Sequence, residues 1–441
     1  MRLLGETIIV SFPIFTTANR KSYYYRLLSF LKIATILKKA ITRIVQKEKI
    51  GWRKTMDINQ SPSGRVVKAF GYTAFLPNPL PPTLEWDDHL VSALSRADQL
   101  LGKLAGEGSK LPDPHILIQP FVTREAVLSS TIEGTQATLE EMLADAAGAH
   151  VGLPAHDIQE VRNYMIALDY GLMRLKEFPL SLRLIKEIHE KLMQGVRGKH
   201  ATPGEFRRSQ NWIGTPGCTL STAKYVPPPS DELMHCLGDF ELFLHEKKLP
   251  HLIHIALCHY QFEAIHPFLD GNGRVGRLLI TLLLIERKLL PSPLLYLSAF
   301  FESTRSTYYH QLYDVSAHGT WNEWLIYFLN GVATQSADAL SRAEQINDLI
   351  NKWLTLVAGS SSNTVSNLIK QCAANPFLTT RKVAEHFNIA FTTAQRAIQK
   401  LESLGIVTQR TSNRRDRVYC ATAILAILDK PTHINLVTEK S

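Results

Sequence analysis

Cysteine is scarce. The chain has 441 residues and five cysteines: Cys218, Cys236, Cys258, Cys372 and Cys420. They are scattered, with no Cys-x-x-Cys pair, which excludes a zinc ribbon and a disulfide scaffold. Free thiols point to a reducing, cytoplasmic setting. No run of 18 uncharged apolar residues occurs, so no segment reads as a membrane-spanning helix. No sequence unit recurs at a fixed period. A His-Glu-x-x-His motif is also missing, and His251, His254 and His259 read as helix-surface or packing residues. What remains is ordinary: 45% apolar and 20% charged residues. That composition suits a globular chain of two to four domains.

The net charge of +9 is unevenly spread. Residues 1–55 hold 12 basic and 2 acidic side chains, and residues 361–441 hold 11 and 5. The stretch between them is mildly acidic, so any attraction for polyanions belongs to the two ends. Residues 7–15 are apolar but short, and the sequence after them makes a poor cleavage site. Residues 23–50 read as a basic amphipathic helix of the kind that lies on a membrane surface. Three readings of 1–55 stay open: an artefact preceding a biological start at Met56, an incidental extension, or a surface anchor.

Residues 57–85 are rich in Pro, Gly and Ser and are expected to be irregular. From Trp86 the spacing of Leu90, Leu94, Ala97, Leu100, Leu101 and Leu104 predicts a helix. Helical patterns follow at 115–147, 156–176, 182–195, 230–247, 250–264, 274–289, 305–317 and 321–357. Residues 210–228 interrupt them and suggest a hairpin. Residues 358–363 read as a linker. Beyond it, helices are expected at 362–374, about 379–388 and 392–404, the last with Thr392 as N-cap and Gly405 as the C′ glycine. A hairpin around the basic loop Asn413 to Arg417 comes next, so the pattern resembles a winged helix.

The most informative stretch is His266-Pro-Phe-Leu-Asp-Gly-Asn-Gly-Arg-Val-Gly-Arg277. His266 can exchange a proton near neutral pH. Asp270 is a hard oxygen ligand suited to Mg²⁺. Gly271, Asn272 and Gly273 can turn backbone N–H groups toward a phosphate at the start of a helix. Arg274 and Arg277, three apart, can share one face of that helix. A base, a metal carboxylate, an anion nest and two arginines describe a nucleotide phosphotransfer site. Gly271-x-Gly273-x-x-Gly276 also spells a dinucleotide fingerprint, but a helical pattern and His-Pro precede it instead of a strand. A P-loop is excluded because Arg277-Leu278 stands where Lys-Ser/Thr is needed.

The same stretch resembles the Fic motif, His-Pro-Phe-x-Asp-Gly-Asn-Gly-Arg-x-x-Arg, at all nine specified positions. The resemblance covers about residues 80–330. It implies a mainly α fold: a Fic-type helical core with a β-hairpin flap, here followed by the winged helix-turn-helix domain. It also implies AMP transfer from ATP to a hydroxyl of a target protein. His266 would be the general base, and Asp270 would hold Mg²⁺ at the α- and β-phosphates. Gly271, Asn272 and Gly273 would form the anion nest, with Arg274 on a phosphate and Arg277 on the γ-phosphate.

Three further features follow from this resemblance. Thr222, Ala223, Lys224 and Tyr225, before Val226 and a proline run, resemble the flap that lies over the nucleotide and aligns the target by strand addition. Tyr308 stands where the family places a nucleotide-contacting tyrosine. Ser129-Ser-Thr-Ile-Glu133-Gly134 resembles the family's N-terminal inhibitory motif, in which Glu133 would pair with Arg277 and displace the γ-phosphate. The expected organisation is a basic extension (1–55), a region with the inhibitory helix (56–175), the catalytic core (176–335), a helix and linker (336–361), the winged helix (362–430) and a tail (431–441).

The expected partners are a hydroxyl-bearing target protein, the chain itself by self-modification, and a second copy in a homodimer. DNA is a further one, through Gln395, Arg396 and Gln399 at base edges and Arg410, Arg414, Arg415 and Arg417 at phosphates. A nucleotide-sensing DNA-binding regulator is the alternative of another class. A Fic variant using another nucleotide, or removing AMP, is the third reading.

Overall fold

The structure is a computed structural model. It describes residues 61–69, 71–110, 114–149, 152, 154–195, 202–215, 217–358, 363–411 and 417–432. The expected basic helix at 23–50, most of the 358–363 linker, and Arg414 and Arg415 lie outside these residues. No helix among the described residues is long and apolar enough to cross a membrane.

The chain opens with a hairpin, β1 (Gly64–Ala69) and β2 (Tyr72–Pro77), paired antiparallel with Arg65 opposite Leu76 and Val67 opposite Ala74. This corrects the irregular reading of 57–85. Val66, Val67 and Phe75 supply β-formers, Gly71 turns the chain at φ 83° and Pro77 falls on the last strand residue, where its missing N–H costs least. Helices then dominate: α1 (Asp88–Lys110), α2 (Pro114–Ile132), α3 (Leu139–Ala146), α4 (Ala155–Arg174), α5 (Leu182–Leu192), α6 (Leu233–Leu244), α7 (His251–Ile265), α8 (Asn272–Glu286), α9 (Ser298–Ser303), α10 (Arg305–His318) and α11 (Trp321–Leu356).

The C-terminal module follows, with α12 (Asn363–Ala374), β3 (Phe377–Thr379), α13 (Thr380–Phe387), α14 (Phe391–Ser403), β4 (Thr408–Gln409), β5 (Val418–Cys420) and α15 (Thr422–Asp429). Its three strands form one antiparallel sheet in the order β3-β5-β4. Helices α12, α13 and α14 fall within a few residues of their expected places, whereas α9 and α15 were not expected. Helix α14 begins one residue early, with Ala390 as its N-cap in place of Thr392, and Gly405 follows its end at φ 69°.

The expected continuous helix over 115–147 is broken in two. Gly134 takes φ 101°, where a side chain would be strained. Thr138 then restarts the chain with a capping box: its hydroxyl accepts from Glu141 N, and the Glu141 carboxylate accepts from Thr138 N. Helices α7 and α8 are buried on nearly every face and form the centre of the core. Helices α1 and α11 pack on each other more extensively than any other pair.

Candidate active site

The site forms where α7 hands over to α8. His266 caps α7 in the left-handed region, at φ 51° and ψ 59°. Gly271, at φ 79°, turns the chain into α8. A Cβ there would stand 2.8 Å from Met193 Sδ, so both backbone angle and space require glycine. Between them, buried Phe268 anchors the loop. Asn272 Oδ1 accepts from Phe268 N and its Nδ2 donates to Phe268 O, each at 2.8 Å. The Asn272 side chain is therefore spent on the loop.

Two residues that sequence reasoning missed complete the loop. His189 on α5 stacks on the Phe268 ring at 3.7 Å. Its Nδ1 accepts from Gly204 N at 2.9 Å, so Nε2 carries the proton and donates to Asp270 O at 3.0 Å. Burial keeps it neutral, with a pKa near 4. Arg207, also buried, donates from Nε to His266 O at 3.0 Å and from Nη2 to Pro228 O at 2.6 Å. It ties the motif loop to the flap. Both act on backbone carbonyls, which leave no complementary residue in the sequence to find them by.

His266 Nδ1 lies 3.3 Å from Glu263 O. A carbonyl only accepts, so Nδ1 carries the proton and Nε2 keeps its lone pair. Burial pushes its pKa down to about 4. Asp270 is half-exposed, with Oδ1 accepting from Gly271 N at 2.6 Å. Arg274 is 4% exposed, yet its Nε and Nη1 have no hydrogen-bond partner. Its ion-pair neighbours, Glu160 and Asp270, stand 3.7 and 3.6 Å away. These two carboxylates balance the charge of the buried guanidinium.

Arg277 is engaged through Nε and Nη2. Nε donates to Ser129 Oγ at 2.8 Å, and Nη2 donates to Ser129 O at 3.0 Å and to Glu133 Oε1 at 2.7 Å. Ser129 is on α2, and Glu133 is one residue past its end, followed by Gly134. A Cβ on Gly273 would stand 2.3 Å from Glu133 Oε1, so the carboxylate rests against the first turn of α8. Burial opposes its ionisation, but Arg277 outweighs that and holds its pKa below the usual value.

The flap is narrower than the expected hairpin. One bridge, Ile213 to Tyr225, joins its arms. The proline run Pro227–Pro229 offers no donors to extend it. Thr222 caps a local turn by accepting from Thr219 N, with Ala223 beside it. Lys224 lies over the Tyr313 ring, 4.8 Å from its centroid. Tyr225 points inward, its hydroxyl donating to Ala264 O at 2.9 Å. The β1–β2 hairpin braces this arm through Phe75 N to Val226 O at 2.8 Å.

Tyr308, the tyrosine expected at the nucleotide, lies in the core. It is 1% exposed, stacks on Phe301 at 4.4 Å and shares a 2.8 Å hydrogen bond with His259. Tyr309 beside it is 39% exposed. Starting α10 at Arg305 turns position 308 to the core.

Among the described residues no cluster of three or more His, Cys, Asp or Glu forms a metal cage. A lone exposed Asp270 suits Mg²⁺, which keeps waters and takes its other oxygens from substrate phosphates.

Residues 91–173 match the family model described as Fic/DOC family N-terminal, and residues 179–284 match the Fic/DOC family model. A protein adenylyltransferase Fic of Drosophila virilis is 30% identical over 190 residues, covering 41% of this chain and 35% of that protein. The Drosophila melanogaster protein of the same name is 29% identical over 190 residues, with the same coverage of 41% and 35%. The chain thus matches about a third of the length of these relatives. A solved Fic family protein from Desulfovibrio desulfuricans G20 is 21% identical with a TM-score of 0.51. It covers 78% of this chain and 98% of its own, a likeness of fold.

Proposed function

We propose that this chain, whose residues 91–173 and 179–284 match the Fic/DOC family models, transfers AMP from ATP to a Ser, Thr or Tyr hydroxyl of a protein. The observation that carries the reading is convergence on one helix start. His266, Asp270, the Gly271–Gly273 backbone, Arg274 and Arg277 all surround the N-terminus of α8. That end of a helix favours phosphate oxygens.

In this reading neutral His266 accepts the proton of the target hydroxyl at Nε2. The hydroxyl oxygen bonds to the α-phosphorus, and the bond from that phosphorus to the bridging oxygen breaks, releasing pyrophosphate. Arg274, beside Asp270, would meet a phosphate. When Mg²⁺ is bound, Asp270 would hold it, and the ion would neutralise phosphate charge. The exposed backbone near Lys224 aligns the target, and Tyr309 takes the nucleotide contact that buried Tyr308 does not offer.

Glu133 restrains the reaction. It holds the Arg277 guanidinium that a γ-phosphate would need, so ATP that enters without displacing it is misplaced. The outward face of α14, with Gln395, Arg396 and Gln399 exposed, supports a separate role for the C-terminal module as a winged helix on DNA. DNA affinity with a steep salt dependence tests that role.

Incubation with α-labelled and γ-labelled ATP tests the transfer. Retention of the α label alone on protein fits AMP transfer. Retention of the γ label would mean phosphoryl transfer and would sink the proposal.

A further inference from the structure

The segment that carries Glu133 is held at both ends. On the active-site side the contacts are Glu133 and Ser129 with Arg277, and Thr135 Oγ1 with Glu160 at 2.6 Å. On the far side three side chains of the C-terminal module grip the next turns. Asn375 Nδ2 donates to Leu143 O at 2.9 Å, Thr379 Oγ1 donates to Ala147 O at 2.8 Å, and Arg410 pairs with Glu140 at 2.6 Å. The would-be Cβ of Gly148 stands 3.4 Å from Lys382. The module also backs the helix before Glu133. Helix α12 packs along α2, and Arg124 on α2 donates to Thr432 at 3.3 Å.

Helix α3 has eight residues. A helix that short does not persist on its own, so what it packs against decides where it sits. Gly134 and the four residues between it and α3 belong to no helix or strand, and they are tied to the end of α2, where Glu133 N and Thr135 N both donate to Ser130 O, at 3.0 and 3.1 Å. The position of Glu133 therefore follows from where α2 and α3 sit, and the C-terminal module packs against both.

We propose that the C-terminal module is the latch of the restraint: its grip on residues 140–147 keeps Glu133 on Arg277, and loosening that grip frees the site. This rests on the reading of Glu133 as a block to AMP transfer and names what controls the block. The Arg410–Glu140 pair is nearly half-exposed on both sides, 45% each. It is the contact an incoming anion can break most easily, because exposed pairs are weak and screened. By linkage, a ligand that favours the released module favours productive ATP, and productive ATP loosens the module in turn.

The test uses the full chain with Asn375→Asp and Arg410→Glu together. Asn375→Asp keeps the oxygen that accepts from Phe377 N and removes the donor to Leu143 O. Thr379, which caps α13, is left intact. A third variant adds Glu140→Arg to restore an ion pair in reverse. Amide hydrogen exchange over residues 130–148 and label from α-labelled ATP are both read, beside Glu133→Gly.

The latch predicts that exchange at 133–148 rises by about tenfold in the double variant while α7 and α8 stay protected. It also predicts that labelling moves toward the Glu133→Gly level and that Glu140→Arg reverses part of both. Unchanged exchange in a folded double variant overturns it. So does faster exchange without labelling when Glu133→Gly does label. If Glu133→Gly itself never labels, the AMP reading fails, and exchange alone decides the latch.

Discussion

Glu133 Oε1 lies 2.7 Å from Arg277 Nη2 and 2.3 Å from where a Cβ on residue 273 would stand. One carboxylate thus occupies both the guanidinium and the open first turn of α8. The contact is ionic and set against a buried arginine, so its response to pH is defined.

Burial opposes the charge on Glu133, and the Arg277 guanidinium more than compensates, leaving the carboxyl below its ordinary 4.5. A depressed carboxylate pKa gives a contact fully present above the unfolded value and lost only as pH falls through the folded one. Acidification from pH 8 to 5 therefore does not release the restraint. The ratio of wild-type to Glu133→Gly labelling should stay low and flat across that range. A ratio climbing toward one by pH 6 would contradict the ion pair as the restraint.

His266 is neutral across the same range, because burial holds its pKa near 4. The form that accepts a proton is then present throughout. Labelling by Glu133→Gly should vary little between pH 8 and 5.5, with no fall centred on the ordinary histidine value of 6.5. A titration with its midpoint near 6.5 would place the rate-controlling base elsewhere.

Three buried histidines set an acid limit on stability. Burial lowers His189 and His254 to about 4 and His259 to about 3. A neutral buried histidine stabilises the fold fully above its unfolded value near 6.5. That contribution is lost as pH falls, since the unfolded chain takes up the proton. Between pH 7 and 5 each costs about 2 kcal/mol of stability. Urea unfolding at the two pH values should give a clearly lower midpoint at pH 5, and equal midpoints would refute the assignment.

Asn272 holds the motif loop rather than the nucleotide. Asn272→Ala leaves Phe268 N without its partner in a buried position, a loss of roughly 1–3 kcal/mol. Phe268 O keeps Asn211 as a donor at 2.8 Å. Denaturation should show that loss, with labelling falling in parallel. Full stability alongside lost labelling would assign Asn272 to the substrate instead.

The motif from His266 to Arg277 was legible because its chemistry is contiguous and its turn needs glycine at Gly271. Ser129 and Glu133 were legible only through resemblance, since an isolated carboxylate reads as a solvated one. His189 and Arg207 were not legible: each serves backbone carbonyls on the motif loop, Asp270 O and His266 O, far along the chain. The β1–β2 hairpin was hidden by flanking prolines, although Val66, Val67 and Phe75 carried its signal. That Tyr308 faces the core and Tyr309 the solvent needed the phase of α10, which adjacent tyrosines do not reveal.

The most direct measurement is label from α-labelled ATP on protein in three forms: wild type, Glu133→Gly, and Glu133→Gly with His266→Ala. Freeing Arg277 from one charge-assisted hydrogen bond predicts a rise of at least about tenfold in the single variant. Removing the base predicts a fall of about a hundredfold or more in the double variant. Equal labelling in wild type and Glu133→Gly, or labelling that survives His266→Ala, would contradict the account.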